Sequence, residues 1–312
     1  MIKPNFNDKI YHKGVAYFDY DAVFGENAAR IKHILKAVST DIPQDARLVG
    51  GIVRDCIWAA ANNQNLNANP HRPIDIDVAV AALPETIQAR LKAAGYDLKK
   101  QPFLKYGMVG LTDPPFQFEF TSLRSDLAKT NLGRGVNIGF SPAINKDWHT
   151  DSLRRDFNCN ALYADMAGHI YDDHRGIDAI LNRHIDFIDD PSISIAQDPL
   201  RLLRYFYYHA LLENGDVAHD LSALLMANAA KLTALNPASI GKILLKSLLL
   251  PANQLKDFMG LLAAHGVIPL LFPEIIHEQD FDPEWFLNIP YERLASSPDI
   301  SLDIARRAGL TL

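Results

Sequence analysis

A short strand that runs into two glycines, with a helix behind them and a second strand that opens on two aspartates, is what most narrows the folds open to this chain. Arg47-Leu48-Val49 reads as the first strand, Gly50-Gly51 as its turn, Asp55 to Ala61 as the following helix and Ile74 to Val80 as the second strand. Residues two apart on a strand share a face, so Asp75 and Asp77 present both carboxylates to one side. Such a pair suits one or two hard divalent cations, which an in-line attack on a phosphate needs. The backbone amides of the Gly50-Gly51 turn, with Arg54 nearby, are suited to holding a triphosphate. Turn and strand together fit metal-dependent transfer of a nucleotide.

The remainder of the chain bounds that reading. Its 312 residues suggest about two domains, and 48% hydrophobic content is enough for sizeable cores. No stretch of eighteen apolar residues occurs, and Met1 to Asp8 lacks the apolar core of a secretory signal, so a cytoplasmic protein with no membrane association is expected. Cys56 and Cys159 sit in apolar segments without metal-ligand spacing and are expected to be free thiols. The net charge of −6 argues against non-specific nucleic-acid binding and leaves room only for a focal basic groove. Nothing in the sequence fixes the oligomeric state.

Residues 1–45 read as an extension followed by a helix from about Glu26 to Val38, with Ile31, Ile34, Leu35 and Val38 at helical spacing. From 46 to 170 strands and helices mix: Met108 to Leu111, Phe116 to Leu123 and Ala161 to Tyr163 read as strands, and Pro84 to Ala94 as a helix. The asparagine-rich stretch Asn62 to Pro70 and the glycine-containing stretch Ser125 to Thr150 read as loops. Beyond 170 only His184 to Ile188 keeps a strand pattern, and helices are expected at Asp198 to Leu212, Leu221 to Leu235, Ser239 to Leu249 and Gln254 to His265. The expected fold class is therefore α+β, with a small mixed or antiparallel sheet and its helices at 46–170. An all-helical neck at 171–235 and a short helical body at 236–312 are expected to complete the chain. A dinucleotide-binding fold is excluded, because Gly50-Gly51 lacks the G-x-G-x-x-G spacing and no regular parallel series comes after it.

Two further strings carry chemistry. In Asp151-Ser152-Leu153-Arg154-Arg155-Asp156-Phe157-Asn158-Cys159-Asn160, the forked donors of Arg154 and Arg155 suit phosphate and ribose oxygens. Asp156 and Asn160 can fix those forks or accept a ribose hydroxyl. In Gln197-Asp198-Pro199-Leu200-Arg201-Leu202-Leu203-Arg204, proline near a helix start places Asp198 and Arg201 on one edge of the first turn, and Arg204 continues that face. Such a pair offers an acceptor and donors that can read the edge of a base.

In this order the strings resemble those of the class II tRNA nucleotidyltransferase (CCA-adding enzyme) and bacterial poly(A) polymerase family, from about Arg47 to His209. The first family motif is matched by Gly50-Gly51-Ile52-Val53-Arg54-Asp55 with Asp75-Ile76-Asp77. The ribose-selecting motif, DxxRRDxxxN, is matched by Asp151, Arg154, Arg155, Asp156 and Asn160. A hinge motif, DxxxG, is matched by Asp172 and Gly176, and the base-reading motif, EDxxR, by Asp198 and Arg201. Phe118-Glu119-Phe120-Thr121-Ser122-Leu123-Arg124 is similar to the family's "FEITTLR" strand and makes Glu119 a candidate third carboxylate.

The resemblance implies a nucleotidyltransferase head in which Asp75 and Asp77 hold Mg²⁺ while CTP and ATP are added to the 3′ end of an RNA, with tRNA the leading candidate. Poly(A) addition, or partial CC or A addition, is the variant within the class. A nucleotide- or RNA-binding homologue with weakened turnover is the alternative outside it. Three departures bear on that choice. Gln197 replaces the motif's glutamate, and Asp190 to Ala196 lacks the arginine usual before it. The part after the base-reading motif is also shorter than is usual, and acidic: Tyr205 to Leu312 holds seven lysines and arginines against twelve aspartates and glutamates.

Overall fold

The computed structural model describes residues 11–12, 15–39, 45–61, 74–98, 101–125, 139–140, 147–212, 215–248 and 250–271. The expectations for Asn62 to Pro70, and for most of Ser125 to Thr150, lie outside these residues. The chain divides into two compact units, one ending at Asn182 and the other starting at Arg183.

The first unit opens with a two-stranded ribbon, β1 (Tyr11–His12) and β2 (Val15–Ala16). Its centre is a six-stranded sheet built from β3 (Ala46–Val49), β4 (Ile74–Val80), β5 (Met108–Asp113) and β6 (Phe116–Ser122), with β9 (Tyr163–Ala164) and β10 (Ile170–Tyr171). Between β6 and β9 in sequence, β7 (Arg124–Ser125) and β8 (Gly139–Phe140) form a second small ribbon. The strand order is β10-β9-β3-β4-β6-β5. All neighbours are antiparallel except β4 and β6, which run parallel, so the sheet is mixed.

Alternation along β6 separates two faces. Phe116, Phe118 and Phe120 are buried, whereas Glu119 is exposed and Gln117 and Thr121 lie between. Strand β4 does the same at its start, with Ile76 and Val78 buried and Asp75 and Asp77 exposed. The phenylalanine face is dry: Phe24 packs edge-on against Phe116 at 6.0 Å, and Phe118 stacks on Phe120. The helix Ala28–Val38 buries Ile31, Ile34, Leu35 and Val38, and packs against helix Pro84–Ala93, which buries Ile87 and Leu91. Arg90 ties the pair by donating from Nη1 to the Val38 carbonyl at 2.8 Å. Edge strand β5 is closed off at Gly110, whose amide and carbonyl are both bonded by the Gln101 side chain, a guard against pairing with another chain.

Several boundaries depart from the sequence-based expectations. The helix expected from Asp55 starts at Gly51, because Gly50 turns the chain at φ +69° and its carbonyl at once accepts the Arg54 amide. Trp148 to Thr150, expected as the end of a loop, opens helix Trp148–Leu153, capped by Asp147, whose carboxylate accepts the Thr150 amide at 2.8 Å. Tyr171 pairs in the sheet, and helix Gly176–Asn182 packs against helix Gly51–Ala61, so both belong to the first unit and not to a separate neck.

The described residues of the second unit contain no strand. His184 to Ile188, expected as one, runs through loop into helix Pro191–Gln197, which Asp190 caps through the Ser192 and Ile193 amides. Helices Leu200–Leu212, His219–Asn228, Pro237–Ser247 and Ala252–Ala264 come next, then the short helix Ile268–Leu271. Among the described residues no helix is long and apolar enough to cross a membrane.

Candidate active site

The wet face of the sheet gathers the acidic residues. Parallel register sets Asp77 directly beside Glu119 and Asp75 beside Gln117. All three carboxylates therefore lie on one exposed face of two adjacent strands, about 4.8 Å apart. Hard oxygen donors in this array fit Mg²⁺. Among the described residues no three histidines, cysteines, aspartates or glutamates form a complete metal cage, and a Mg²⁺ held by two carboxylates and completed by water and phosphate oxygens needs none.

The glycine turn stands over the end of this array. A Cβ added to Gly50 would lie 4.0 Å from Asp77 Oδ2, 3.9 Å from Arg155 Nη1 and 3.7 Å from the Asn160 carbonyl oxygen. Turn, carboxylate strand and double-arginine motif thus meet at one point, although they are separated in sequence. One expectation is corrected here. The Gly50 amide donates to the Leu162 carbonyl at 3.1 Å, so an anion at the turn is left with the amides that open the helix, from Gly51 onward.

Arg54 is likewise placed otherwise than expected. Its side chain is 2% exposed. Nη1 donates to Asn160 Oδ1 at 2.6 Å, while Nε and Nη2 donate to Asp55 Oδ1 at 2.8 and 2.6 Å. Asn160 in turn donates from Nδ2 to Asp156 Oδ1 at 3.1 Å, and that oxygen also accepts the Phe157 amide. Asp55, Arg54, Asn160 and Asp156 thus form a relay that joins the helix after the turn to the loop after the arginines. A guanidinium so engaged braces the turn instead of facing a triphosphate.

The two motif arginines are held from below by Asp151, which is fully buried. Its Oδ1 accepts Nε and Nη2 of Arg154 at 2.8 and 2.6 Å, and its Oδ2 accepts Arg155 Nη2 at 3.2 Å and the Tyr163 hydroxyl at 2.8 Å. Arg155 Nε completes the knot by donating to the Tyr163 oxygen at 2.8 Å. Burial by itself would raise the Asp151 pKa, but Arg155 and Arg154 beside it, with the Tyr163 hydrogen bond, hold the carboxyl below the usual carboxylate range. An ionised Asp151 therefore fixes the direction of both forks.

The hinge motif shows a tight contact. Asp172 accepts the Gly176 and Ile177 amides at 2.6 and 2.9 Å and so caps helix Gly176–Asn182. A Cβ on Gly176 would come within 2.4 Å of the Asn158 carbonyl oxygen, so glycine is required here by close packing and not by conformational freedom. In the second unit, Asp198 Oδ1 accepts the Leu200 amide at 3.0 Å, and Arg201 Nη1 donates to the buried Ser194 Oγ at 2.7 Å. Arg204 lies 5.7 Å from the centre of the Tyr208 ring.

Two residues of this network, Asp55 and Tyr163, have no role assigned from sequence alone. The signal for Asp55 is its place directly after the arginine it neutralises. None exists for Tyr163, whose contact to Asp151 depends on the turn Asn158–Asn160 folding β9 back toward the helix.

Residues 46–186 match the family model described as the poly A polymerase head domain. The human protein "CCA tRNA nucleotidyltransferase 1, mitochondrial" is 27% identical over 241 residues, 76% of this chain and 51% of that protein. A "CCA-adding enzyme" of Streptococcus gordonii is 30% identical over 182 residues, 58% of this chain and 40% of that protein. The chain thus spans about half the length of such curated relatives. Among solved structures, the Bacillus stearothermophilus CCA-adding enzyme in complex with CTP aligns with a TM-score of 0.56 at 20% identity, covering 91% of this chain and 63% of that one. The Thermotoga maritima CCA-adding enzyme complexed with tRNA aligns with a TM-score of 0.61 at 18% identity, covering 92% and 63%. Fold and head domain define a nucleotidyltransferase-type protein. Residues 46–186 thus carry a head domain of the poly A polymerase type, and the chain is similar to CCA-adding enzymes.

Proposed function

We propose that this chain transfers nucleotides from CTP and ATP to the 3′ end of a tRNA, releasing pyrophosphate. The observation that carries the reading is the meeting of Asp77, Gly50 and Arg155 at one point beside a second and third carboxylate. Asp75 and Asp77 would hold Mg²⁺, which supplies charge neutralisation at the triphosphate and makes the RNA hydroxyl more acidic.

The chain's own residues do the positioning. The amides that open the helix at Gly51 receive phosphate oxygens. Arg154 and Arg155, aimed by Asp151, grip the sugar and the phosphates, so the α-phosphorus is presented in line. The 3′-hydroxyl oxygen then bonds to that phosphorus as the bond to the β-phosphate oxygen breaks, and pyrophosphate departs with the electron pair. The hydroxyl proton passes to water or to a carboxylate of this face, where Glu119 stands beside Asp77. Asp198 and Arg201 would read the base edge, one as acceptor and one as donor. Asp172 and Gly176 would mark the pivot between head and neck.

The test is incorporation of each labelled nucleotide into tRNA lacking its CCA end, with Mg²⁺ present. Addition of two C and one A is expected, and no incorporation of any nucleotide sinks the proposal. One observation favours a variant: Gln197 removes the carboxylate next to the base reader. Runs of A, or addition that stops at CC, would mark the chain as a poly(A) or partial enzyme of the same class.

A further inference from the structure

Beside the carboxylate array, on the same face of the sheet, lies a cavity of about 440 Å³, walled by Trp148, Tyr163 and Tyr171 and rimmed by Asp147 and Asp173. Arg47 lines it. This residue sits on β3 opposite Ala79, which lies two positions along β4 from Asp77, or about 7 Å. Arg47 is only 6% exposed, and its Nε is buried without a hydrogen-bond partner. Its guanidinium is clamped between two rings, 3.9 Å from the centre of Trp148 and 3.6 Å from that of Tyr171.

A guanidinium stripped of water costs free energy unless something satisfies its donors, and aromatic faces satisfy only its charge. Burial pulls the Arg47 pKa down, with the nearby Tyr171 and Asp165 opposing. The donors in the plane of the fork are what an oxyanion requires. At the rim, Asp147 already caps Thr150, and Asp173 accepts from His149 at 3.3 Å. Each carboxylate has lone pairs left for hydroxyl donors. The volume exceeds that of a phosphate ion and falls in the range of small-ligand pockets.

We infer that this cavity, which shares Tyr163 with the arginine knot, is a binding site for a sugar phosphate unit, with the phosphate on Arg47 and sugar hydroxyls toward Asp147 and Asp173. Free nucleoside monophosphates and a nucleotide unit of an RNA share that chemistry. The inference stands whether or not Asp75 and Asp77 transfer a nucleotide.

Fluorine NMR of the whole chain carrying 5-fluorotryptophan tests it. The chain has three tryptophans, and W148F assigns the resonance of Trp148. Ribose 5-phosphate and AMP are expected to shift that resonance saturably while Trp58 stays put, and unphosphorylated ribose is expected to leave both unmoved. R47M should weaken the response at least about tenfold, because a forked contact to the oxyanion is lost. R47K, which keeps the charge but not the fork, should weaken it by a smaller factor and serves if R47M fails to fold. A short single-stranded RNA that displaces ribose 5-phosphate at Trp148 assigns the site to a polymer. An RNA that does not displace it assigns the site to free sugar phosphates. No shift with any phosphorylated probe, or an undiminished shift in both Arg47 variants, overturns the inference.

Discussion

The carboxylate face and the brace behind it are built from the same kinds of residue and are opposites in every physical respect. Asp75, Asp77 and Glu119 stand exposed on adjacent strands with like charges side by side, an arrangement that adds nothing to stability without a cation. Asp151, Asp156 and Arg54 are buried, and each is held by hydrogen-bonded partners. Charged motif residues therefore divide into those left poised for a ligand and those spent on holding geometry. Burial separates the two kinds, whereas residue type does not.

Substitutions can break that division. Asp77→Ala should lower nucleotide incorporation by at least about a thousandfold while moving the melting temperature by less than about 2 °C. A large drop in melting temperature would place Asp77 with the brace. Arg54→Met should do the reverse, costing about 3 kcal/mol in urea unfolding because Asn160 and Asp55 lose their buried donor. Little loss there would mean that the turn holds without the relay.

Asp151→Asn should cost about 2 kcal/mol and raise KM for the triphosphate as the two arginine forks lose their anchor. It also has a pH signature. The carboxyl titrates below its unfolded value, so its contribution is complete above about pH 4 and is lost as the medium is acidified through the lower folded value. Acid unfolding below about pH 4 should accordingly be shallower in Asp151→Asn than in the parent chain. Gly50→Ala should have the smallest effect on stability, about 1 kcal/mol from the φ of +69°, measured by the same urea titration. The added methyl enters the space between Asp77 and Arg155, so incorporation should fall by a larger factor than stability accounts for.

Strand alternation made the two faces of the sheet legible, because Asp75, Asp77 and Glu119 occupy odd positions among buried apolar even ones. The parallel pairing that places Glu119 beside Asp77 was not legible, since periodicity says which face a residue takes and not which strand is its neighbour. Arg54 was misjudged for a related reason. A motif position shows that a residue is needed, but a contact from over a hundred residues away determines what it is needed for. Helix Pro191–Gln197 carried an ordinary start signal, Asp190 followed by proline, that the weak strand pattern at His184 to Ile188 obscured.

The relay from Asp55 through Arg54 and Asn160 to Asp156 links positions 106 residues apart by a single hydrogen bond at its middle. That makes two distant stretches of the gene one unit of inheritance. A chimera that takes its glycine turn from one parent and its double-arginine loop from another should misfold or idle unless Arg54 and Asn160 travel together, so the natural crossover points for recombining this head lie outside the span they enclose.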